Sequence, residues 1–132
     1  MGAWGVGIYE NDTASDWVYE LEASGAAVIG SSLQAVLADD TYLDAHLACR
    51  ALAAADVIGR LRVGEASGPG PAAVLAWVRA HPADPSETLL RLAERAVDRV
   101  VGTGSELDEL WAETDEHAAW RGTTQVVVGR LL

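Results

Sequence analysis

Between Tyr42 and Arg62 the chain carries a helical pattern that is apolar nearly all the way round, and this segment constrains the fold more than any other. Leu43, Leu47, Ala51, Ala54, Ile58 and Leu61 form one stripe, while Ala45, Ala48, Cys49, Leu52 and Ala53 fill the opposite side. A surface helix buries one stripe and turns a polar face to water, so a helix without a polar face has to be enclosed by others. The segment therefore predicts a central helix in an all-α domain, with Asp39, Asp40 and Thr41 offering its caps.

The other segments read as the helices that enclose it. After a glycine-rich lead (Gly2, Gly5, Gly7), Asn11, Asp12 and Thr13 are good N-caps for a helix carrying Ala14, Trp17, Val18 and Leu21, which Gly25 ends. Ser31 or Ser32 opens a short second helix with Leu33, Val36 and Leu37. Beyond the central helix, Gly64, Gly68, Pro69, Gly70 and Pro71 break the pattern from Val63 to Pro71. Helices with apolar faces lie on both sides of that break, so it is a loop within one domain spanning residues 1–132. A short helix follows from Ala72 to Ala80 and stops at Pro82. Asp84 as cap, Pro85 as first helical residue and Glu87 then form a capping-box pattern ahead of Leu89, Leu92, Ala93, Ala96, Val97 and Val100. Gly102 or Gly104 ends that helix, and Ser105 with Asp108 repeats the pattern before Leu107, Leu110 and Trp111. The last helix runs from about Asp115 to Leu131, with Trp120, Thr124, Val127 and Leu131 on one face. Gly122 and the β-branched run Thr123, Thr124, Val126, Val127, Val128 favour a strand locally, and a minor pairing with Gly5 to Tyr9 is the alternative there. The expectation is about six helices in one compact domain.

A chain of 132 residues, 50% apolar, has the size of a single domain and can bury a core without disulfides or a structural metal. Five tryptophans and no phenylalanine make the indoles the largest pieces of that core, and each buried indole needs a partner for its N–H. One cysteine, Cys49, allows neither an internal disulfide nor a cysteine-rich zinc site, which points to a reducing, cytoplasmic setting. The N-terminus lacks a signal-peptide pattern, and no apolar run approaches the roughly 20 residues that cross a bilayer, so neither secretion nor a membrane is expected.

The net charge is −11, and every basic residue is an arginine. Eight acids (Glu10, Asp12, Asp16, Glu20, Glu22, Asp39, Asp40, Asp44) precede the first arginine, and six more lie between Glu106 and Glu116. Between the two clusters, seven arginines nearly balance six acids. Such a charge repels a nucleic-acid backbone. It reads either as a solvated surface that aids solubility or as one that docks a protein with a basic surface.

The opening Gly2-Ala3-Trp4-Gly5-Val6-Gly7-Ile8-Tyr9-Glu10-Asn11-Asp12, with Asp16-Trp17 after it, resembles the start of the bacterial domain-of-unknown-function family 4259. Members of that family open on Gly-x-Trp-Gly-x-Gly-aromatic, followed by Asn-Asp and an Asp-Trp pair. Ala51-Leu52-Ala53-Ala54-Ala55-Asp56-Val57-Ile58 is similar to the family's alanine-rich central helix, which carries an acid at the corresponding place. The segment from Ser105 to Trp111, with Trp120 beyond it, is a third match in order along the chain. The resemblance implies an α-helical bacterial protein and brings no established activity or catalytic residue. Two features depart from it: Ile8-Tyr9 stands where a bulky aromatic is usual, and the final helix is rich in β-branched residues.

Asp56 is the most telling single residue, because an unpaired carboxylate on an enclosed helix is expensive. Arg60 lies four residues on and can pair with it, or an indole N–H or another helix end can reach it. His46 and Cys49 fall near the same side of the helix but lack the second cluster a metal site needs. Trp4, Glu10, Asn11, Asp12, Asp16 and Trp17 form a candidate partner- or ligand-binding segment, in which Asn11, Asp12 and Asp16 serve equally well as helix-start residues. Glu10, Asp12 and Asp16 match no calcium-loop spacing. Arg91, Arg95 and Arg99 step by four along one helix face, either pairing within the chain or forming an anion site. Neither His81 nor His117 has a nucleophile at recognisable spacing, and there is no phosphate loop, serine elbow or zinc-binding histidine pair. The leading reading is therefore a non-enzymatic, cofactor-free acidic module, immunity- or inhibitor-like or regulatory, that binds a basic protein. The alternative is a small enzyme using Asp56, Asp12 and Asp16 as acid, base or ligand, or a metal-binding protein.

Overall fold

A computed structural model describes residues 2–38 and 41–132, and the capping roles suggested for Asp39 and Asp40 lie outside the described residues. Its helices are α1 (Asp12–Ser24), α2 (Ala26–Ala38), α3 (Ala45–Val63), α4 (Ala72–Ala80), α5 (Glu87–Val101), α6 (Glu106–Ala112) and α7 (His117–Leu131). The fold is all-α, with seven helices among the described residues where about six were expected. Among them no helix is long and apolar enough to cross a membrane.

The central position of α3 follows from its sequence. It packs against all six other helices, and every residue from Ala48 to Arg60 is buried except the half-buried Arg50. Alanine at positions 48, 51, 53, 54 and 55 lets neighbours approach its backbone on several sides. Gly59 takes this furthest: a Cβ there would lie 2.9 Å from the Cβ of Arg130, so the glycine sets how closely α3 and α7 can pack. Trp17, Trp111 and Trp120 are buried around this centre, the last two stacked with ring centroids 6.2 Å apart. Trp17 donates its indole N–H to Ser32 Oγ at 3.0 Å, the partner a buried indole requires. Trp4 is no core anchor, being 61% exposed.

Several boundaries differ from the sequence expectation, each for a local reason. The second helix starts at Ala26, not at Ser31 or Ser32, because Gly25 at φ 61 turns the chain in one residue. Ser32 sits inside that helix and returns its hydroxyl to Val28 O at 2.6 Å, which makes a buried serine tolerable there. The central helix starts at Ala45, since Asp44 Oδ1 accepts from His46 N and Leu47 N at 2.8 and 3.2 Å. Leu43 stays outside it and bridges in parallel to Ser105. Ser86 displaces Asp84 as the cap of α5, its Oγ accepting from Leu89 N at 3.1 Å, so Pro85 precedes the helix.

Residues 123–128 are helical, and the strand pairing with Gly5 to Tyr9 does not form. Propensity differences of a few tenths of a kcal/mol per residue are outweighed by burial of Trp120, Thr124, Val127 and Leu131 on one helix face. The two segments do meet, through Thr123 Oγ1 donating to Val6 O at 3.0 Å.

Candidate functional site

The helical spacing of Cys49, Ala53, Asp56 and Arg60 puts them on one face of α3. Asp56 is 2% exposed, yet it is fully engaged. Its Oδ2 accepts from Tyr9 Oη at 2.7 Å and from Arg60 Nε at 2.8 Å, and its Oδ1 accepts from Arg130 Nη1 at 3.2 Å. Arg130 also pairs through Nε with Glu65 Oε2 at 3.1 Å. Arg60 Nη2 donates to Pro69 O, while Arg60 Nη1 is buried with no hydrogen-bond partner. One carboxylate thus draws together the N-terminal loop, α3, the 64–71 loop and the end of α7. Burial, then the Asp56 charge and its hydrogen bond, hold the Tyr9 hydroxyl well above the ordinary tyrosine value, so Tyr9 is a donor and not a base. Burial works against the Arg60 charge, and Asp56 more than offsets it.

Beside this network lies a cavity of about 540 Å³. Gly7 to Glu10 of the N-terminal loop, Asp56 and Arg60 of α3, Pro69 to Pro71, and Thr123, Val126, Val127 and Arg130 of α7 line it.

A second arrangement forms around the start of α3. Glu106 Oε1 accepts from Ala45 N at 2.8 Å, which brings the first turn of α6 onto the N-terminus of α3 beside the capping carboxylate of Asp44. From the other side comes α1, with Thr13 Oγ1 3.2 Å from His46 Nδ1 and Glu20 paired to Arg50. Acids of both clusters therefore flank one helix end, where they complement the macrodipole. Tyr42 stands 51% exposed among them, and desolvation together with the carboxylate of Glu109 raises its hydroxyl above its usual value.

The residues singled out by sequence are thus divided. Asn11 is the cap of α1, accepting from Ala14 N at 2.8 Å, and Trp17 is fully buried in the core. Glu10 lines the cavity with its carboxylate turned back onto Gly7 N at 3.0 Å, in space that side chains at positions 5 and 7 would fill. Asp12 and Asp16 are exposed on α1 and belong neither to the Asp56 network nor to the cavity lining. The arginine row does not gather into an anion site: Arg91 pairs with Glu87, Arg99 donates to the carbonyls of Thr103, Gly104 and Thr41, and Arg95 is exposed. Among the described residues no group of three or more His, Cys, Asp or Glu is placed to hold a metal ion.

Tyr9, Glu65 and Arg130 are the site residues that sequence reasoning missed. The cost of burying Asp56 signalled that partners had to exist. Only Arg60 carried a local spacing signal, because Tyr9 and Arg130 reach Asp56 from 47 and 74 residues away in the chain.

The sequence profile of the family described as Domain of unknown function (DUF4259) matches residues 2–123, and the chain belongs to that family. No curated protein and no solved structure matches it.

Proposed function

We propose that this DUF4259 member is a non-enzymatic acidic module of the bacterial cytoplasm that binds a protein with a basic surface, as an immunity protein, inhibitor or regulatory subunit does. One observation carries the reading: acids separated by about half the chain flank the start of α3, with the exposed Tyr42 among them. Cations beside these acids are already engaged, Arg50 by Glu20 and Arg121 by Asp108. An acidic surface of this kind speeds encounter with a basic partner and selects against acidic ones. The engagement of Asp56 supports the non-enzymatic part of the reading, because both of its oxygens are already held by two guanidinium groups and a phenol within the fold.

Affinity capture with a tagged chain, compared with the double variant Glu109→Lys/Glu113→Lys, tests this. Both positions are exposed, and neither caps a helix through its side chain. The expected result is a defined basic protein retained at low salt, released as salt rises, and absent with the variant. Equal retention by both chains, or retention of no basic protein, refutes the proposal.

A further inference from the structure

We propose that a second cavity, between α2, α3, α4 and α5, is a binding site for a small ammonium ion with an apolar body. Its volume is about 490 Å³, which suits a small organic molecule. The site is separate from the acidic face, since Ile58, where it meets α3, lies about 20 Å along that helix from Asp44 at about 1.5 Å per residue.

The recess exists because α4 packs against α1 and α3 but not against α2 or α5. Residues 81–86 cross the gap as non-helical chain, since Pro82 follows the end of α4 and Pro85 stands before the cap of α5. Ile29 and Ile58, 2% and 1% exposed, form the floor, and the half-buried Leu61 and Leu89 the sides. Trp77 and His81 add a flat aromatic wall, their rings stacked with centroids 4.3 Å apart. Gly30 of α2 leaves open space where a side chain would otherwise project.

Charge decides what this apolar space accepts. Among the described residues His81 and Asp84 are the ionisable groups of the lining, and no arginine joins them. Asp84 has the sequence context of a helix cap, but Ser86 caps α5 in its place. The Asp84 carboxylate is left without a hydrogen bond or ion pair among the described residues. Arg62 and Arg79 line a neighbouring cavity that Asp84 also borders, where they donate to the carbonyls of Leu132 and Ala66 and make no ion pair with it. His81 Nδ1 lies 2.8 Å from Trp77 O, which can only accept, so Nδ1 carries a proton and Nε2 is the acceptor of the neutral ring. An unpaired carboxylate and an imidazole acceptor beside an aromatic wall suit an ammonium group on an apolar body. A carboxylate or phosphate ligand would meet Asp84 with no cation in the lining to offset it, in a chain of net charge −11.

Calorimetric titration of the full chain with phenethylamine, cyclohexylmethylamine and hexylamine, each beside the alcohol of the same carbon skeleton, tests the site. Saturable one-to-one binding is expected, with an amine about fivefold tighter than its alcohol, the advantage an exposed charge pair supports. Asp84→Asn should bring amine and alcohol to equal affinity without changing that of the alcohol. Position 84 is exposed and caps no helix, so this variant should fold. Gly30→Leu should abolish binding by filling the recess from α2, at a position with room for a Cβ and with a better helix former than glycine; circular dichroism checks that both variants fold. The Glu109→Lys/Glu113→Lys chain should bind as the parent does, which separates failure of this proposal from failure of the acidic-face reading. Absence of saturable binding by all of the amines, equal affinity of the parent for amine and alcohol, an amine preference that persists in Asp84→Asn, or undiminished binding by Gly30→Leu overturns the proposal.

Discussion

Replacing Asp56 by Asn removes the charge shared by Arg60, Arg130 and Tyr9 while keeping the size of the side chain. The variant leaves Arg60, only 4% exposed, inside the helix cluster without its counter-ion. Breaking a buried pair by removing one partner costs about 3–5 kcal/mol. The lower end applies, because Arg130 is more exposed than Arg60 and keeps Glu65 as a partner, and because the Asn carbonyl still accepts one hydrogen bond. For a domain of this size, 1 kcal/mol moves the melting temperature by roughly 4 °C, so the expected fall is about 10 °C. Tyr9→Phe removes one hydrogen bond to a charged acceptor and should cost about 1.5 kcal/mol. The double variant should cost less than the sum of the singles, since both act on the same oxygen. Urea titration followed by tryptophan fluorescence gives these values, and the slope m should be unchanged if only the native state is affected. A melting temperature for Asp56→Asn within about 2 °C of the parent, or strictly additive single variants, would refute the idea that this carboxylate organises the core.

Two further outcomes follow from the geometry. The folded-state value of Tyr9 is raised above the unfolded one, so its contribution is fully present below about pH 10 and is lost as pH rises through the folded value. Cys49, pushed up to about 12 by burial and by Asp44, and Tyr42 lose stability over the same range in both chains, so urea midpoints above pH 10 should fall more steeply for the parent than for Tyr9→Phe, and parallel slopes would contradict this. Gly59→Ala should destabilise by about 1–3 kcal/mol, because its Cβ meets Arg130 Cβ head-on. Gly129→Ala, in open space on α7, should stabilise by up to about 1 kcal/mol, and thermal melts that reverse this order would refute the account of the α3–α7 contact.

Much of the fold was legible because periodicity and capping are local. The enclosed character of α3, the Asn11 cap, the Gly25 break and the Ser105 cap each rest on residues within a turn of one another. The failures were also local in cause. Ser32 and Asp84 are good capping residues that the structure uses otherwise, because Gly25 had already turned the chain and Ser86 lay one step nearer the helix. In the 123–128 run, β-branched side chains spoke for a strand, but a helix buries Trp120, Thr124, Val127 and Leu131 on a single face.

The candidate site was legible only as a demand. A helix enclosed on every side cannot use water to solvate a charge, so Asp56 required donors from whichever elements cover α3. Which elements those are depends on tertiary packing, and that packing turns on Gly59, whose missing Cβ admits α7 and so carries Arg130 to the carboxylate. The 64–71 loop enters in the same way: Gly70 leaves space against Arg60, and Pro69 O takes Nη2. Two glycines and one buried acid therefore act as a unit. The acid sets the need for cations, the glycines decide which backbones can come close enough to meet it, and the second arginine so recruited brings Glu65 as a second counter-ion.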